Sequence, residues 1–191
     1  VDEAGQNGHL HMLKWLHSNN LFTCSSKAME RAARNGQFDV VKWLHRVHHE
    51  CCSPLVLNEA VGHGNLELVK WLYENASKCF LGGSHVSVTT AAGCGDLSVL
   101  KWAHQHAQLS FSFQAMDAAA SNGHMDVISW LHDHHLAGCS ASAVSYAAWN
   151  GHLNVLKWLH TRYPTAFQPD LMADAAYSGH LDVVRWLQEN Y

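Results

Sequence analysis

Histidines and cysteines are the side chains of this sequence that could do chemistry, and two local groups of them have the composition of a metal site. One is His48–His49 followed by Cys51–Cys52, and the other is His132 with His134 and His135. Zinc sites use tetrahedral Cys and His sets with helix or knuckle spacing. Neither group has two Cys-x-x-Cys arms or a clear His-x-x-x-His. We therefore predict no metal and no other cofactor.

The sequence also lacks the motifs of a catalytic site. It contains no phosphate loop, no Gly-x-Ser-x-Gly and no cysteine within a recognisable nucleophile signature. Isolated Cys and His residues can be paired, but no spacing fixes their geometry. We predict that the protein is not an enzyme.

Most histidines belong to a repeated segment that reads roughly Ala-Ala-x-x-Gly-His-Leu-Asp-Val-Val-Lys-Trp-Leu-His. Its glycine, called the marker glycine below, is followed by a tryptophan seven residues later, and the period is 28 residues with one spacing of 31. A fixed period in this range is typical of stacked helical repeats. The seven marker glycines are Gly8, Gly36, Gly64, Gly95, Gly123, Gly151 and Gly179, and the tryptophans are Trp15, Trp43, Trp71, Trp102, Trp130, Trp158 and Trp186.

Histidine occupies two positions of the repeat: directly after the marker glycine, and two residues after the tryptophan. We predict that these histidines hydrogen-bond backbone carbonyls of the neighbouring repeat, and that each tryptophan bridges to the next repeat. If the histidines are buried and neutral, acidification below about pH 6 lowers stability. The first set is His9, His124, His152 and His180, and the second is His17, His45, His104, His132 and His160.

Each repeat is predicted to form two helices joined by the marker glycine. In the second copy, Ser25 or Ser26 is a plausible N-cap for a first helix over 27–35. Gly36 ends that helix as a left-handed residue, and a second helix runs from Phe38 to about Val47, with a broad apolar arc. The fold class is all-α, a solenoid of about seven stacked helix-turn-helix repeats.

The repeated segment resembles the ankyrin repeat family, as in residues 119–128 and 175–184, and the resemblance covers most of the chain. The family period is about 33 residues, so the 28-residue period and the Trp-Leu-His ending indicate a divergent subgroup with shortened finger loops. The resemblance implies a non-catalytic protein-binding scaffold whose first helices line a concave face. We expect one repeat array over residues 1–191, a fragment of a longer protein.

Composition narrows the partners and the compartment. The net charge of −4 and the pI of about 6.5 argue against nucleic acid, and no apolar run is long enough to span a membrane. Equivalent cysteines in stacked repeats lie too far apart for disulfides, which favours a reducing compartment, the cytoplasm or nucleus. We expect a monomer whose partner is a protein or peptide.

Candidate binding residues lie on the first helices, mostly in the two positions before the marker glycine, which vary between copies. Trp149 is the only tryptophan that does not follow a marker glycine by seven residues. Tyr146 lies one turn earlier, and Tyr177 occupies the equivalent position of the next repeat. An exposed aromatic cluster of this kind is typical of interface hot spots; packing across the repeat boundary is the alternative. Arginines in the second copy could take an acidic group of a partner; the favoured alternative is that they are simply solvated. The complete predicted set is Arg31, Arg34, Asn35, His63, Asn122, Tyr146, Trp149, Asn150 and Tyr177.

The predicted function is a non-catalytic protein–protein interaction scaffold that binds its partner on the concave face. A structural spacer between other domains is one alternative. A His- and Cys-rich metal or pH sensor is another.

Overall fold

The computed structural model describes residues 1–23, 25–48, 53–76, 84–106 and 111–190, and only the backbone of residues 54 and 84–87. Cys24, His49, Cys51, Cys52 and Cys79 therefore lie outside the described residues, as does most of the first candidate metal group. The described chain is all-helical, with 74% helix and no strand. The prediction of an all-α fold built from stacked helix pairs is confirmed.

Fourteen α-helices form the described part of the chain, two to each repeat. The first helices are α1 (Asp2–Gln6), α3 (Ser26–Arg34), α5 (Pro54–Gly62), α7 (Ser84–Cys94), α9 (Phe113–Ser121), α11 (Ala141–Trp149) and α13 (Leu171–Tyr177). The second helices are α2 (Leu10–Ser18), α4 (Phe38–Val47), α6 (Leu66–Asn75), α8 (Leu97–His106), α10 (Met125–Asp133), α12 (Leu153–Arg162) and α14 (Leu181–Asn190). A short 3-10 helix, Pro164–Ala166, follows α12.

The marker glycine separates the two helices of a repeat because it adopts a backbone conformation that other residues resist. Gly36 has φ +67°, and all seven marker glycines have φ between +67° and +81°. The N–H of Gly36 donates to Ala33 O at 3.1 Å and the N–H of Gln37 donates to Ala32 O at 2.8 Å, which is the hydrogen-bond pattern of a Schellman cap. The predicted left-handed helix end is therefore confirmed.

Two compact units make up the chain, Val1–Ser87 and Val88–Tyr191. Within the first unit α3 packs between α1 and α5, and within the second α11 packs between α9 and α13. Paired alanines form these contacts, and Ala119, Ala120, Ala147 and Ala148 are fully buried. Their small side chains let neighbouring first helices pack closely, which leaves the larger residues of each helix to point elsewhere.

Candidate functional site

Among the described residues, the first helices of the second unit expose four large aromatic side chains: Phe113, Tyr146, Trp149 and Tyr177. We call the last three the aromatic patch. In α11, Val144 and Ala147 are buried, so the helical period turns Tyr146 and Trp149 to the opposite side. The exposed fraction is 53% for Tyr146, 44% for Trp149 and 81% for Tyr177. Monomeric proteins seldom group large exposed aromatic rings on one face without a binding role.

Trp149 and Tyr177 occupy the same repeat position in adjacent repeats, and their rings stack. The ring centroids lie 5.1 Å apart with an interplanar angle of 30°. The rings therefore pack across the repeat boundary and yet stay largely exposed. Packing across the repeat boundary, which the sequence left as the alternative to a binding role, is thus present for this pair. Because each ring restricts the motion of the other, the stacked pair forms an ordered apolar platform without a bound partner.

The asparagines of the predicted set make hydrogen bonds at helix ends. The Nδ2 of Asn35 donates to Arg31 O at 2.9 Å, and that of Asn122 donates to Ala118 O at 3.0 Å. Asn150 reaches the preceding repeat and donates to Ser121 O at 2.9 Å. These amides help satisfy the unpaired carbonyls of the helix ends.

Arg34 has an acidic partner within the chain itself. Its Nε donates to Glu59 Oε2 at 2.7 Å, and a second guanidinium nitrogen donates to the other carboxylate oxygen. The hydrogen bond and charge of Glu59 raise the pKa of Arg34. For Arg34, the acidic group is thus supplied by the next repeat. Arg31 lines a separate cleft with Asp2, and His63 packs where a side chain on Gly36 would lie.

Histidines that follow the marker glycine hydrogen-bond the neighbouring repeat, as predicted. His152 Nε2 donates to Ser121 O at 3.0 Å, and His124 Nε2 donates to Gly93 O at 3.0 Å. Each ring lies over the marker glycine of the preceding repeat: a Cβ on Gly123 would be 2.8 Å from His152 Nδ1. The prediction is confirmed for these two histidines.

Histidines two residues after the tryptophan contact the neighbouring repeat through their rings. Each ring meets edge-on the tryptophan ring of the following repeat, so these five tryptophans contact the preceding repeat. The indole and imidazole rings are nearly perpendicular, which is a favoured geometry for aromatic pairs. The centroid distances are 5.8 Å for His17–Trp43, 5.4 Å for His45–Trp71, 5.8 Å for His104–Trp130, 5.2 Å for His132–Trp158 and 5.5 Å for His160–Trp186.

Sequence analysis missed a bridge between an acidic residue and the serine before the next first helix. Ser140 Oγ donates to Asp117 Oδ2 at 2.6 Å. The same pairing, 23 residues apart, joins Ser25 to Asp2 at 2.8 Å and Ser53 to Glu30 at 2.7 Å. The available signal was a serine 11 residues before the marker glycine, in five copies: Ser25, Ser53, Ser84, Ser112 and Ser140.

The bridge at Asp117 lies in an apolar setting that changes the ionisation of its neighbours. Burial raises the pKa of Asp117, and the hydrogen bonds from Ser140 only partly oppose this shift. Burial, with the charge of Asp117, also raises the pKa of the Cys139 thiol to about 12. Because the thiolate is the nucleophile, this shift lowers the nucleophilicity of Cys139 at neutral pH.

We expect Asp117→Asn to increase the free energy of unfolding, relative to that of the wild type, by more at pH 7 than at pH 4. A carboxyl whose pKa is raised on folding binds its proton more tightly in the folded state, so the ionised form costs stability and this cost disappears as the pH falls. Urea unfolding at the two pH values measures the effect, with the exposed Asp133→Asn as control. An Asp117→Asn difference that is the same at both pH values would contradict the assignment.

No group of three or more potential ligands that could hold a metal occurs among the described residues. In the second candidate group, His132 shares a hydrogen bond with the Tyr163 hydroxyl at 2.7 Å, whereas His134 Nδ1 donates to Trp130 O at 2.9 Å. The two imidazoles thus bind different partners. Within the same described ranges, no helix has the length and apolar character that a membrane crossing requires.

Pairs of helices linked by a left-handed glycine, stacked on one another within each unit, define a helical repeat protein. Residues 1–45 and 116–160 match the family model of ankyrin repeats in many copies. The chain therefore contains ankyrin repeats over these residues. No curated protein matches its sequence.

Proposed function

We propose that the chain is a non-catalytic scaffold that binds a partner protein or peptide on its first-helix face, the side of α9, α11 and α13 that carries the aromatic patch. Ankyrin repeats are generally protein–protein interaction modules. This face corresponds to the concave side in our expectation from the sequence. We further propose that the protein works as a monomer in a reducing compartment, the cytoplasm or nucleus.

The stacked pair Trp149–Tyr177 is the observation that carries this proposal. Tryptophan and tyrosine are enriched among the residues that contribute most to binding energy. A ring that is already held in place loses less side-chain entropy when a partner binds. Tyr146, one turn before Trp149, extends the apolar area in the same direction. A partner with an apolar or planar side chain would cover this platform.

Capture from a native lysate tests the proposal. The immobilised wild-type chain is compared with a Trp149→Ala/Tyr177→Ala variant, and bound proteins are quantified by mass spectrometry. The matched control is Leu181→Ala, which removes a side chain of α14 that is 58% exposed. Because all three side chains lie at the surface, we expect similar melting temperatures.

The expected result is a protein that binds the wild type and the Leu181→Ala control but is lost from the double variant. Equal retention on all three chains would move the binding site away from the aromatic patch. Capture of no protein by any chain would favour the alternative function of a structural spacer.

A further inference from the structure

The charge of the chain is divided unequally between its two units. Residues 88–191 contain eight acidic and four basic residues, whereas residues 1–87 contain eight of each. The net charge of −4 therefore belongs to the second unit. Its basic residues all lie on second helices: Lys101 in α8, Lys157 and Arg162 in α12, and Arg185 in α14. The first helices of this unit carry no lysine or arginine at all.

Two acidic residues lie on those first helices, and they differ in their surroundings. Asp117 is buried and bonded to Ser140. Asp174, in α13, is half-exposed and forms no ion pair among the described residues. It precedes Tyr177 by three residues, so the two side chains share one face of the helix. A carboxylate without a cation thus borders the aromatic patch.

In the first unit, the repeat positions equivalent to Trp149 and Asp174 hold an ion pair. Arg34 stands two residues before its marker glycine, and Glu59 stands five residues before the next one. In the second unit these two positions are occupied by Trp149 and Asp174, again 25 residues apart. Trp149 and Asp174 therefore occupy the repeat positions at which the Arg34 guanidinium meets Glu59 in the first unit. The acid is retained, and an aromatic ring replaces the cation.

We propose that the partner segment is basic and places an arginine or lysine side chain over the Trp149–Tyr177 rings, with its charge against Asp174. The inference rests on the proposed function and adds the chemistry of the partner. A cation over an aromatic face is attracted by the ring quadrupole, and a planar guanidinium can stack and pair with a carboxylate at once. The chain itself contains such a stack: the guanidinium carbon of Arg162 lies 4.6 Å from the Trp158 ring centroid.

A pair of peptides tests the inference on the whole 191-residue chain. One is acetylated, amidated Ala-Ala-Arg-Ala-Ala, and the other has citrulline, a neutral group of nearly the same shape, in place of arginine. Binding is followed by NMR at the Trp149 indole N–H of the ¹⁵N-labelled chain, assigned with a Trp149→Phe variant. We expect the arginine peptide to bind roughly three- to tenfold more tightly. The preference should shrink as salt is added.

Asp174→Asn should abolish the preference for arginine, whereas Asp182→Asn, on the second helix α14, should leave it unchanged. Equal shifts with both peptides, no shift of the Trp149 indole at millimolar peptide, or an arginine preference that survives Asp174→Asn would each overturn the inference. A lysate protein that is lost with Trp149→Ala/Tyr177→Ala but still binds Asp174→Asn at high salt would overturn it too, while the proposed function would stand.

Discussion

Replacement of Trp130 by alanine is expected to lower the free energy of unfolding by about 3–5 kcal/mol, the usual cost of removing a large buried aromatic side chain. Trp130 is 9% exposed and is the most buried of the repeat tryptophans in the described residues. The rings of His104, Phe111 and His134 surround it, with centroids 5.8, 5.8 and 4.9 Å away. Urea unfolding followed by far-UV circular dichroism measures the loss.

Trp15→Ala is the matched control for this prediction. The same repeat position is 55% exposed there, so we expect a change below about 1 kcal/mol. If both variants lose the same free energy of unfolding, contact of the tryptophan with the preceding repeat does not stabilise the fold. A double-mutant cycle of Trp130→Ala with His104→Ala should give a coupling of about 0.5–1.5 kcal/mol, as aromatic pairs do.

Gly123→Ala is expected to destabilise the protein by about 1.5–3.5 kcal/mol for two separate reasons. The residue has φ +77°, and a left-handed conformation costs a residue with a Cβ about 1–2 kcal/mol. The added Cβ would also lie 2.8 Å from His152 Nδ1. The ring must move, and its hydrogen bond to Ser121 O is then lost, which costs about 0.5–1.5 kcal/mol. Chemical unfolding at pH 7 measures the sum.

Gly179→Ala separates the two contributions. This glycine has φ +81°, but no atom lies within 4 Å of its added Cβ. Only the backbone cost of about 1–2 kcal/mol remains. If both glycine variants lose the same free energy, the histidine does not hold the repeat boundary. In a His152→Ala background, Gly123→Ala should cost about as much as Gly179→Ala does.

The local structure of the repeat could be predicted from the sequence because it depends on residues close together in the chain. The predicted second helix from Phe38 to Val47 matches α4, and the predicted first helix over 27–35 differs from α3 by one residue at each end. The left-handed conformation of the marker glycines could be predicted as well. Period, helix ends and turn chemistry are all short-range properties. The exposed position of Trp149 also followed, since buried positions recur in every copy while its position varies.

Contacts between repeats could not be predicted in the same way. These contacts join residues 23 to 26 positions apart in the sequence. They include Arg34 with Glu59, Ser140 with Asp117, and the histidine–tryptophan pairs. The period states which residues are equivalent, but not how far one helix is shifted along its neighbour. That shift is set by the packing of buried alanines and leucines.

The sequence by itself therefore determined the repeat, the helices and the side chains that point away from the core. Only the tertiary structure decided which of those side chains meet. It places five of the repeat tryptophans against a histidine of the preceding repeat, it supplies Arg34 with an acid from within the chain, and it stacks Trp149 on Tyr177. The physical reason is that a shift of a few ångströms of one helix along its neighbour changes which side chains touch. The sequence pattern contains no information about that shift.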